Sequence, residues 1–575
     1  MRKINSLFVL PFFSFIVVTQ GLIAQEQGTI VDIIFEGNRY VDPSSRISTN
    51  PKVIDTIMSN NLTNYPLLVL QQKTSIQLEQ IEPATVKMEA KLPQLYHSYA
   101  KVGVGSTLMP LGEFYFDGTR SRKYMYGAHL KHLSSYGKIS GYAPAQFDRN
   151  SLSLFGGINE KKYSLLGDLH YKNNGFHYYG IQNDSLSRDS IAQRFSDFGT
   201  TFNFTSHPSD SAKLNYKVGL TYTNFQSMKP FQDSLAAWRA QENYVALRTN
   251  ASYKFGKEIF SSDLNVLYNG YKYGIADTSI SLLDTGIVLN NTVINLTPSI
   301  TTFAKNNRFK AKIGLDLTLD VNQKTKVYIY PIAEVKYSLF NDMFIPYAGV
   351  KGGMKQNTFK SLTSENEFLL TNVVMRNENK VADVYFGIKG TLSKRISFNA
   401  SASFAYVKDK ALFITDTIYS LRNKFNIIYD TLSITTIEGS ISYQLIEKLK
   451  IDAIGRYYSY ALNNNSYAWN LPQFQIITRG SYNLYDKFLV NLDVNLEGGR
   501  KALVYQAGED VSIEDNQFAK TLGFITDINL GLEYRYNSRV SAFLQCNNLA
   551  AQRYKRWYNT PVQGFQVMGG VTIRF

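Results

Sequence analysis

The last stretch of the chain, 567–575, shows the clearest alternation of apolar and polar positions. Gly569, Val571, Ile573 and Phe575 share one side, and threonine and arginine stand between them. Side chains of a β-strand point to opposite faces in turn, so a period of two predicts a strand with one apolar and one polar face. The sequence therefore predicts a two-faced strand at the end of the chain.

Two internal stretches, 309–320 and 488–497, repeat this alternation and collect charged and amide side chains on one face. A length of about 12 residues suits a tilted strand that crosses a membrane. A soluble sandwich also alternates, but it rarely carries so many charges on one face of strands this long. We expect the polar face to line the lumen of a barrel. The lumen-lining candidates are Lys310, Lys312, Asp316, Asn491, Asp493, Asn495 and Glu497.

The connections between the alternating runs are of two kinds. Short turns are expected near 256–257 and 486–487, and longer polar loops near 173–193 and 358–380. Outer-membrane barrels have short periplasmic turns and longer external loops, and the runs number about 22. An even number places both barrel ends on the periplasmic side. The predicted fold is all-β, a transmembrane antiparallel β-barrel of about 22 strands over residues 95–575.

The chain begins with the pattern of a secretory signal peptide at residues 1–24. Arg2 and Lys3 precede an apolar run that is too short to span a bilayer, and cleavage is expected near Ala24. Residues 25–94 lack sustained alternation and are interrupted by prolines. We predict a short, mostly irregular periplasmic arm there. Two interpretations stay open, an arm that enters the lumen and a disordered leader.

Composition agrees with a barrel. Aromatic residues make up 14% of the chain, which suits strands and the aromatic girdles of membrane barrels. The mean hydropathy of −0.21 alone would indicate a soluble protein, but a barrel turns every second residue toward a polar lumen. The formal net charge of +15 comes without a basic helix or a nucleic-acid-binding motif. We therefore expect basic turns near anionic lipid and lipopolysaccharide, and no nucleic-acid partner.

The C-terminal residues resemble the last hairpin of TonB-dependent receptors. The matching residues are 541–549, with Asn548-Leu549 at the end, then Arg553-Tyr554, 557–559, Gly564 and the last strand. The resemblance implies a 22-stranded barrel. The aromatic-ended final strand also resembles the signal that outer-membrane barrels present to the assembly machinery. It makes Val571, Ile573 and Phe575 the candidate assembly signal.

A second stretch, 131–137, resembles plug-poor receptor-like proteins of Bacteroidota. The receptor family carries an N-terminal plug that fills the lumen and contacts TonB. Residues 25–94 show no convincing plug sequence, so the plug is expected to be missing or reduced. TonB and a surface lipoprotein are the candidate protein partners, and the resemblance leaves TonB coupling open.

No motif of a catalytic or cofactor site stands out in the sequence. The single Cys546 excludes a disulfide framework and a cysteine metal site. His129 and His132 are three apart on a predicted strand, so their side chains point to opposite faces and do not share a metal. We predict no enzyme activity, no cofactor and no metal.

Two functions remain after these exclusions. The leading hypothesis is an outer-membrane receptor-like barrel that binds or passes a solute. The alternative is a non-transporting scaffold in a surface or envelope-assembly complex, whose loops bind another protein. Bilayer conductance separates the two, because an open route conducts and a filled scaffold does not.

Overall fold

A computed structural model describes most of the chain from residue 95 onward. The described residues are 95–118, 121–207, 213–228, 238–275, 287–304, 308–322, 324–505 and 518–575. The predicted signal peptide at 1–24 and the predicted arm at 25–94 lie outside these residues. Both therefore stay predictions.

Within the described residues, 22 antiparallel strands form one sheet. They are β1 (Ser98–Gly105), β2 (Met109–Asp117), β3 (Tyr124–Ser135), β4 (Phe147–Asn159), β5 (Tyr163–His177), β6 (Ala192–Ser206), β7 (Leu214–Ser227), β8 (Trp238–Phe255), β9 (Glu258–Ile275), β10 (Ile287–Ala304), β11 (Phe309–Asn322), β12 (Lys324–Tyr337), β13 (Ile345–Lys355), β14 (Glu378–Ser393), β15 (Ile396–Thr415), β16 (Phe425–Ile446), β17 (Leu449–Leu462), β18 (Phe474–Leu484), β19 (Phe488–Gly498), β22 (Ile525–Arg535), β23 (Val540–Asn547) and β26 (Gln566–Arg574).

Smaller elements lie in the connections. Two short hairpins consist of β20 (Lys501–Leu503) with β21 (Ala519–Thr521), and of β24 (Lys555–Trp557) with β25 (Thr560–Pro561). The described helices are a 3₁₀ turn at Arg188–Ser190 and α1 (Phe359–Glu365). Neither of these two helices is long and apolar enough to cross a membrane.

The sheet closes on itself because its first and last strands pair. Ala100 lies opposite Ile573 and Val102 opposite Val571 in an antiparallel ladder between β1 and β26. Closure removes the unpaired sheet edges that would otherwise expose backbone donors and acceptors. The structure therefore confirms the predicted all-β barrel of 22 strands.

The exposed face of the barrel wall is apolar. On β11, Ile313 is 69% exposed and Leu315 48%, whereas Asp316 on the opposite face is only 9% exposed. A soluble barrel would bury the leucine and expose the aspartate. The pattern fits a barrel whose outer surface meets hydrocarbon and whose polar side chains face inward.

Two strands are much longer than expected. β15 has 20 residues and β16 has 22, whereas a transmembrane strand needs only about 9–11. Residues 425–430 of β16 pair with β15 but not with β17 on the other side. This hairpin therefore extends beyond its neighbour at one end of the barrel. That end carries the long connections and is called the long-loop end below; the opposite end is the short-turn end.

Candidate functional site

The connection between β13 and β14, residues 356–377, folds into the lumen and forms the candidate site. Its helix α1 buries Phe359 completely, and the Phe359 ring packs against aromatic rings on β6, β7 and β9. The ring centroids lie 6.1 Å from Phe195, 5.7 Å from Phe225 and 5.2 Å from Tyr271. Aromatic pairs at these separations stabilise packing beyond their buried area. The helix is therefore docked on the inner wall.

Local sequence explains why the helix begins where it does. The Thr358 side chain accepts a hydrogen bond from the Ser361 backbone N–H, and the Ser361 hydroxyl in turn accepts from the Thr358 N–H. This reciprocal capping box satisfies donors that a helix start leaves unpaired. The wall adds a further acceptor, because the buried Glu242 carboxylate of β8 accepts from the N–H groups of Phe359 and Lys360. A carboxylate is favoured at the positive end of a helix.

Ion pairs attach the same loop to two more strands. Lys360 Nζ lies 2.8 Å from Asp197 Oδ1 on β6, and Arg149 Nη2 on β4 lies 2.6 Å from Glu367 Oε2. Asp197 is largely buried, so its pairing is screened less than a surface pair. The loop is therefore held to the wall by charge as well as by packing.

Amide hydrogen bonds fix the two ends of the loop. The side chains of Asn291 on β10 and Asn377 donate to each other, at 2.7 and 2.9 Å. The backbone carbonyl of Asn291 also accepts a hydrogen bond from Gln356 Nε2 at 2.9 Å. Asn377 also donates to Asp320 on β11 at 2.8 Å. Both ends of loop 356–377 are thus bound to the same part of the wall, which directs the segment between them across the lumen.

Loops from other strands meet this segment at the long-loop end. Leu370 N–H donates to the Phe425 carbonyl at 2.8 Å, and Phe425 N–H donates to the Phe368 carbonyl at 3.0 Å. Asn423 Nδ2 donates to the Tyr178 carbonyl at 2.8 Å. Tyr178 follows β5 and Asn423 follows β15, ten positions further around the 22-stranded sheet. Loops from opposite sides of the barrel therefore touch over the lumen.

A cavity of about 900 Å³ lies between α1 and the walls formed by β4–β7, β22, β23 and β26. Its lining combines aromatic rings with amide and charged groups. The lining residues used below are Lys172, Asn174, Glu365, Asp527, Asn547 and Trp557. This size and mixture are typical of sites that enclose a small organic ligand.

Glu365, the last residue of α1, is an unusual group in this lining. Burial raises the pKa of the Glu365 carboxyl above its ordinary value, while the cations Lys410, Lys355 and Arg556 oppose the shift. Among the described residues, neither Glu365 nor Lys172 has an ion-pair partner within 4.0 Å. The cavity therefore contains charge of both signs that the protein itself does not pair.

The lumen candidates predicted on β11 lie in a polar network on the inner wall. Asp316 accepts hydrogen bonds from Asn295 and from Thr318, the latter at 2.6 Å. Lys310 and Lys312 are half-buried, and their cross-strand neighbours are Lys336 and Glu334. The described surroundings of these residues contain none of the cavity-lining residues above.

The candidates on β19 lie eight strands further along the sheet and divide between two environments. Asp493 faces Arg479 at 3.5 Å near mid-strand, with Asn491 exposed and Asn495 half-buried on the same face. Glu497 lies at the long-loop end and binds Arg556 at 3.0 Å and Arg500 at 3.2 Å. Arg556 also lines the cavity, so Glu497 is the predicted residue that contacts the site. The structure does not bring the two predicted sets together.

The predicted assembly signal lies on the outer surface of the last strand. Val571, Ile573 and Phe575 are 40%, 43% and 59% exposed. Their accessibility is compatible with recognition by another protein, and their role in assembly stays a prediction.

The sequence interpretation missed the residues that form the site. It treated 358–380 as a polar external loop, although Phe359, Leu362 and Phe368 are buried against the wall. The signal was present, because three consecutive apolar residues, 368–370, are out of place in a solvated loop. Among the described residues, no group of three or more His, Cys, Asp or Glu is placed to hold a metal ion.

No protein-family model matches this sequence, and no curated protein matches it. Solved structures do. The siderophore receptor PirA from Acinetobacter baumannii superposes with a TM-score of 0.62 at 11% identity, covering 84% of this chain and 81% of that one. The copper transporter OprC gives 0.61 at 14% identity, with coverages of 83% and 80%. At such identities the likeness establishes the fold alone, and it agrees with the barrel that the C-terminal resemblance implied.

Proposed function

We propose that this chain is an outer-membrane receptor-like barrel that binds a solute and passes it across the membrane, with loop 356–377 closing the route. The observation that carries the proposal is the placement of α1 inside the lumen beside a polar and aromatic cavity. A purely structural barrel would not need a ligand-sized chamber. The similar solved structures are named as a siderophore receptor and a copper transporter, which supports transport as the activity.

The wall supports an outer-membrane location. Its outer face carries exposed apolar side chains such as Leu315, Leu492 and Val571, and the strands leave the sheet without an edge. In lipid every backbone polar group must be paired inside the protein, and a closed barrel meets that requirement. The proposed surroundings are therefore outer-membrane lipid and lipopolysaccharide, reached with the barrel-assembly machinery after signal cleavage near Ala24.

Loop 356–377 would act as a gate because part of its attachment to the wall is polar and reversible. Lys360–Asp197 and Arg149–Glu367 are ion pairs at the edge of a hydrated cavity, where a charged solute competes for the same groups. TonB and a surface lipoprotein are the candidate partners that would supply the work of opening the loop. A binding assay with each partner tests this part of the proposal.

The proposal is tested with the purified full chain in planar bilayers. We expect low conductance in the resting state, and higher conductance when Lys360→Gln and Arg149→Gln release the loop. A matched control is Lys161→Gln, which changes a turn residue at the short-turn end. Unchanged conductance in the double variant would contradict gating by this loop.

A non-transporting scaffold is the second candidate, and one surface favours it. Ile418 and Leu421, in the loop between β15 and β16, are 81% and 63% exposed at the long-loop end. Exposed apolar side chains outside the membrane belt are typical of docking surfaces. Solute flux through liposomes separates the candidates, because a scaffold gives none even after the loop is released.

A further inference from the structure

The cavity beside α1 is lined by charges of both signs in equal number. The cations are Arg149, Lys172, Lys360 and Arg556, and the anions are Asp197, Glu365, Glu367 and Asp527. A chamber for an anionic solute would show an excess of cations, and a chamber for a cationic solute an excess of acids. The lining as a whole has no excess of either sign, so the charges that the protein leaves unpaired decide which ligand it can bind.

Most of these charges are already used by the protein. Arg149 binds Glu367, Lys360 binds Asp197, and Arg556 binds Glu497 just outside the lining. Within the described chain, the charges left without an ion pair are Lys172, Glu365 and Asp527.

The three remaining charges lie on different walls of the cavity. Lys172 projects from β5, Glu365 ends α1, and Asp527 lies near the start of β22. Within the described residues, none of the three lies within 4.0 Å of an oppositely charged group. Lys172 is exposed, and Glu365 and Asp527 are partly exposed, so a ligand with groups of opposite charge can reach all three.

The rest of the lining supplies contacts for an uncharged chain between the two ends. Asn174 and Asn547 offer amide donors and acceptors, and Phe176, Phe368 and Trp557 offer apolar ring surface. Amide groups hydrogen-bond well to peptide units, which present one donor and one acceptor per residue. Ring surfaces accommodate apolar side chains without specifying their sequence.

We infer that this cavity binds a short peptide with free termini, whose ammonium end lies toward Glu365 and Asp527 and whose carboxylate end lies toward Lys172. The inference rests on the proposed function, since it names the solute class for the same chamber. A neutral sugar would leave all three charges unpaired, and a small anion would meet two carboxylates for one ammonium. A cavity of about 900 Å³ is within the range that encloses ligands of this size.

The test is calorimetric binding to the full chain in detergent. The probes are tetra-alanine with free termini, its N-acetylated form and its C-amidated form. Replacing Glu365→Gln and Asp527→Asn together should weaken binding of the free peptide on the order of tenfold or more, because charged hydrogen bonds are lost. The same substitutions should not weaken the acetylated peptide further, since its ammonium is already gone. Lys172→Gln should weaken binding of the free peptide but should not weaken binding of the amidated peptide further, since the carboxylate of that peptide is already gone.

Two outcomes overturn the inference. One is a free peptide that binds the wild type no better than its acetylated and amidated forms do. The other is that the loss of binding free energy on substitution adds in full to the loss on blocking the corresponding peptide terminus. Lys161→Gln and Glu447→Gln, both in exposed short turns, serve as controls and should bind like the wild type.

A measurement of solute flux through liposomes distinguishes failure of the peptide inference from failure of the proposed function. If the loop-released barrel passes other solutes through liposomes but no variant binds peptide, the ligand class is wrong and transport stands. If the loop-released barrel passes no solute, the proposed function fails as well.

Discussion

Asn423 donates a 2.8 Å hydrogen bond to the carbonyl of Tyr178 from the opposite side of the barrel. The two residues belong to loops that follow β15 and β5, close to half a turn apart in a sheet of 22 strands. A barrel of this size is too wide for wall side chains alone to fill. The contact shows that the loops themselves reach across, and loop 356–377 fills the space beneath with a docked helix.

Glu242 should be the residue on which docking of that helix depends most. Glu242→Ala removes the acceptor for two backbone N–H groups and leaves them in a largely apolar site, a loss of about 2 kcal/mol. We expect higher resting conductance and greater sensitivity of cells to large antibiotics. Glu258→Ala is the control, because Glu258 binds Thr302 near the short-turn end. Equal conductance of the two variants would show that the helix does not depend on this cap.

Adjacent positions on β19 test which face meets lipid. Leu492→Arg places a cation in hydrocarbon and should cost about 2–4 kcal/mol at mid-span. Asn491→Arg, one residue earlier, should be mild because that side chain is exposed to the lumen. Denaturant unfolding of both variants, refolded into the same vesicles, gives the comparison. Identical midpoints would mean that the assignment of the two faces is wrong.

Glu365 should contribute stability to the wild type that is lost as pH rises. Burial raises the pKa of Glu365 above the ordinary 4.5, so the folded protein binds this proton more tightly than the unfolded chain does. The stabilisation is complete below the ordinary value and is lost as pH rises through the raised one. Glu365→Gln should make this slope shallower, and Glu447→Gln should leave it unchanged. Heat-modification midpoints from about pH 4 to about pH 8 measure it; parallel wild-type and Glu365→Gln curves would refute the assignment.

Deleting Phe575 should reduce assembly more than folded stability. Its side chain is exposed, and its backbone contributes one pair of hydrogen bonds with Ser98, of 2.8 and 3.0 Å. We expect less heat-modifiable barrel in the outer membrane, with the assembled fraction melting close to the wild type. Phe575→Tyr keeps the aromatic end and should assemble normally. Wild-type amounts after the deletion would contradict an assembly role.

Alternation alone was sufficient to predict the wall. The stretch 309–320 was expected as a strand and is all but the last two residues of β11 (Phe309–Asn322), and the predicted number of about 22 strands agrees with the observed one. A strand in a two-faced wall has a local signature, because each residue's face follows from its neighbours two positions away. Leu315 is exposed and Asp316 is buried, as alternation requires of neighbouring strand residues, and the lumen-lining role of Asp316 stays a prediction.

The site could not be predicted in this way because it is formed by contacts that are distant in sequence. Glu242 binds residues more than a hundred positions later, and Tyr178 meets Asn423 across the lumen. A seven-residue helix leaves almost no periodic signal, and its capping box also fits an ordinary turn. Residues 368–370 carried a signal that the sequence does show, because three consecutive apolar residues in a loop indicate that the loop does not face solvent.

The most direct test of the account compares two deletions by single-channel conductance in planar bilayers. One variant replaces residues 358–375 with a short glycine–serine linker, and the other removes residues 27–90 of the predicted arm while keeping the signal and its cleavage site. If loop 356–377 closes the route, the first variant conducts strongly and the second stays near the wild-type level. A tight barrel after loop removal, with a conducting one after arm removal, would contradict closure by the loop.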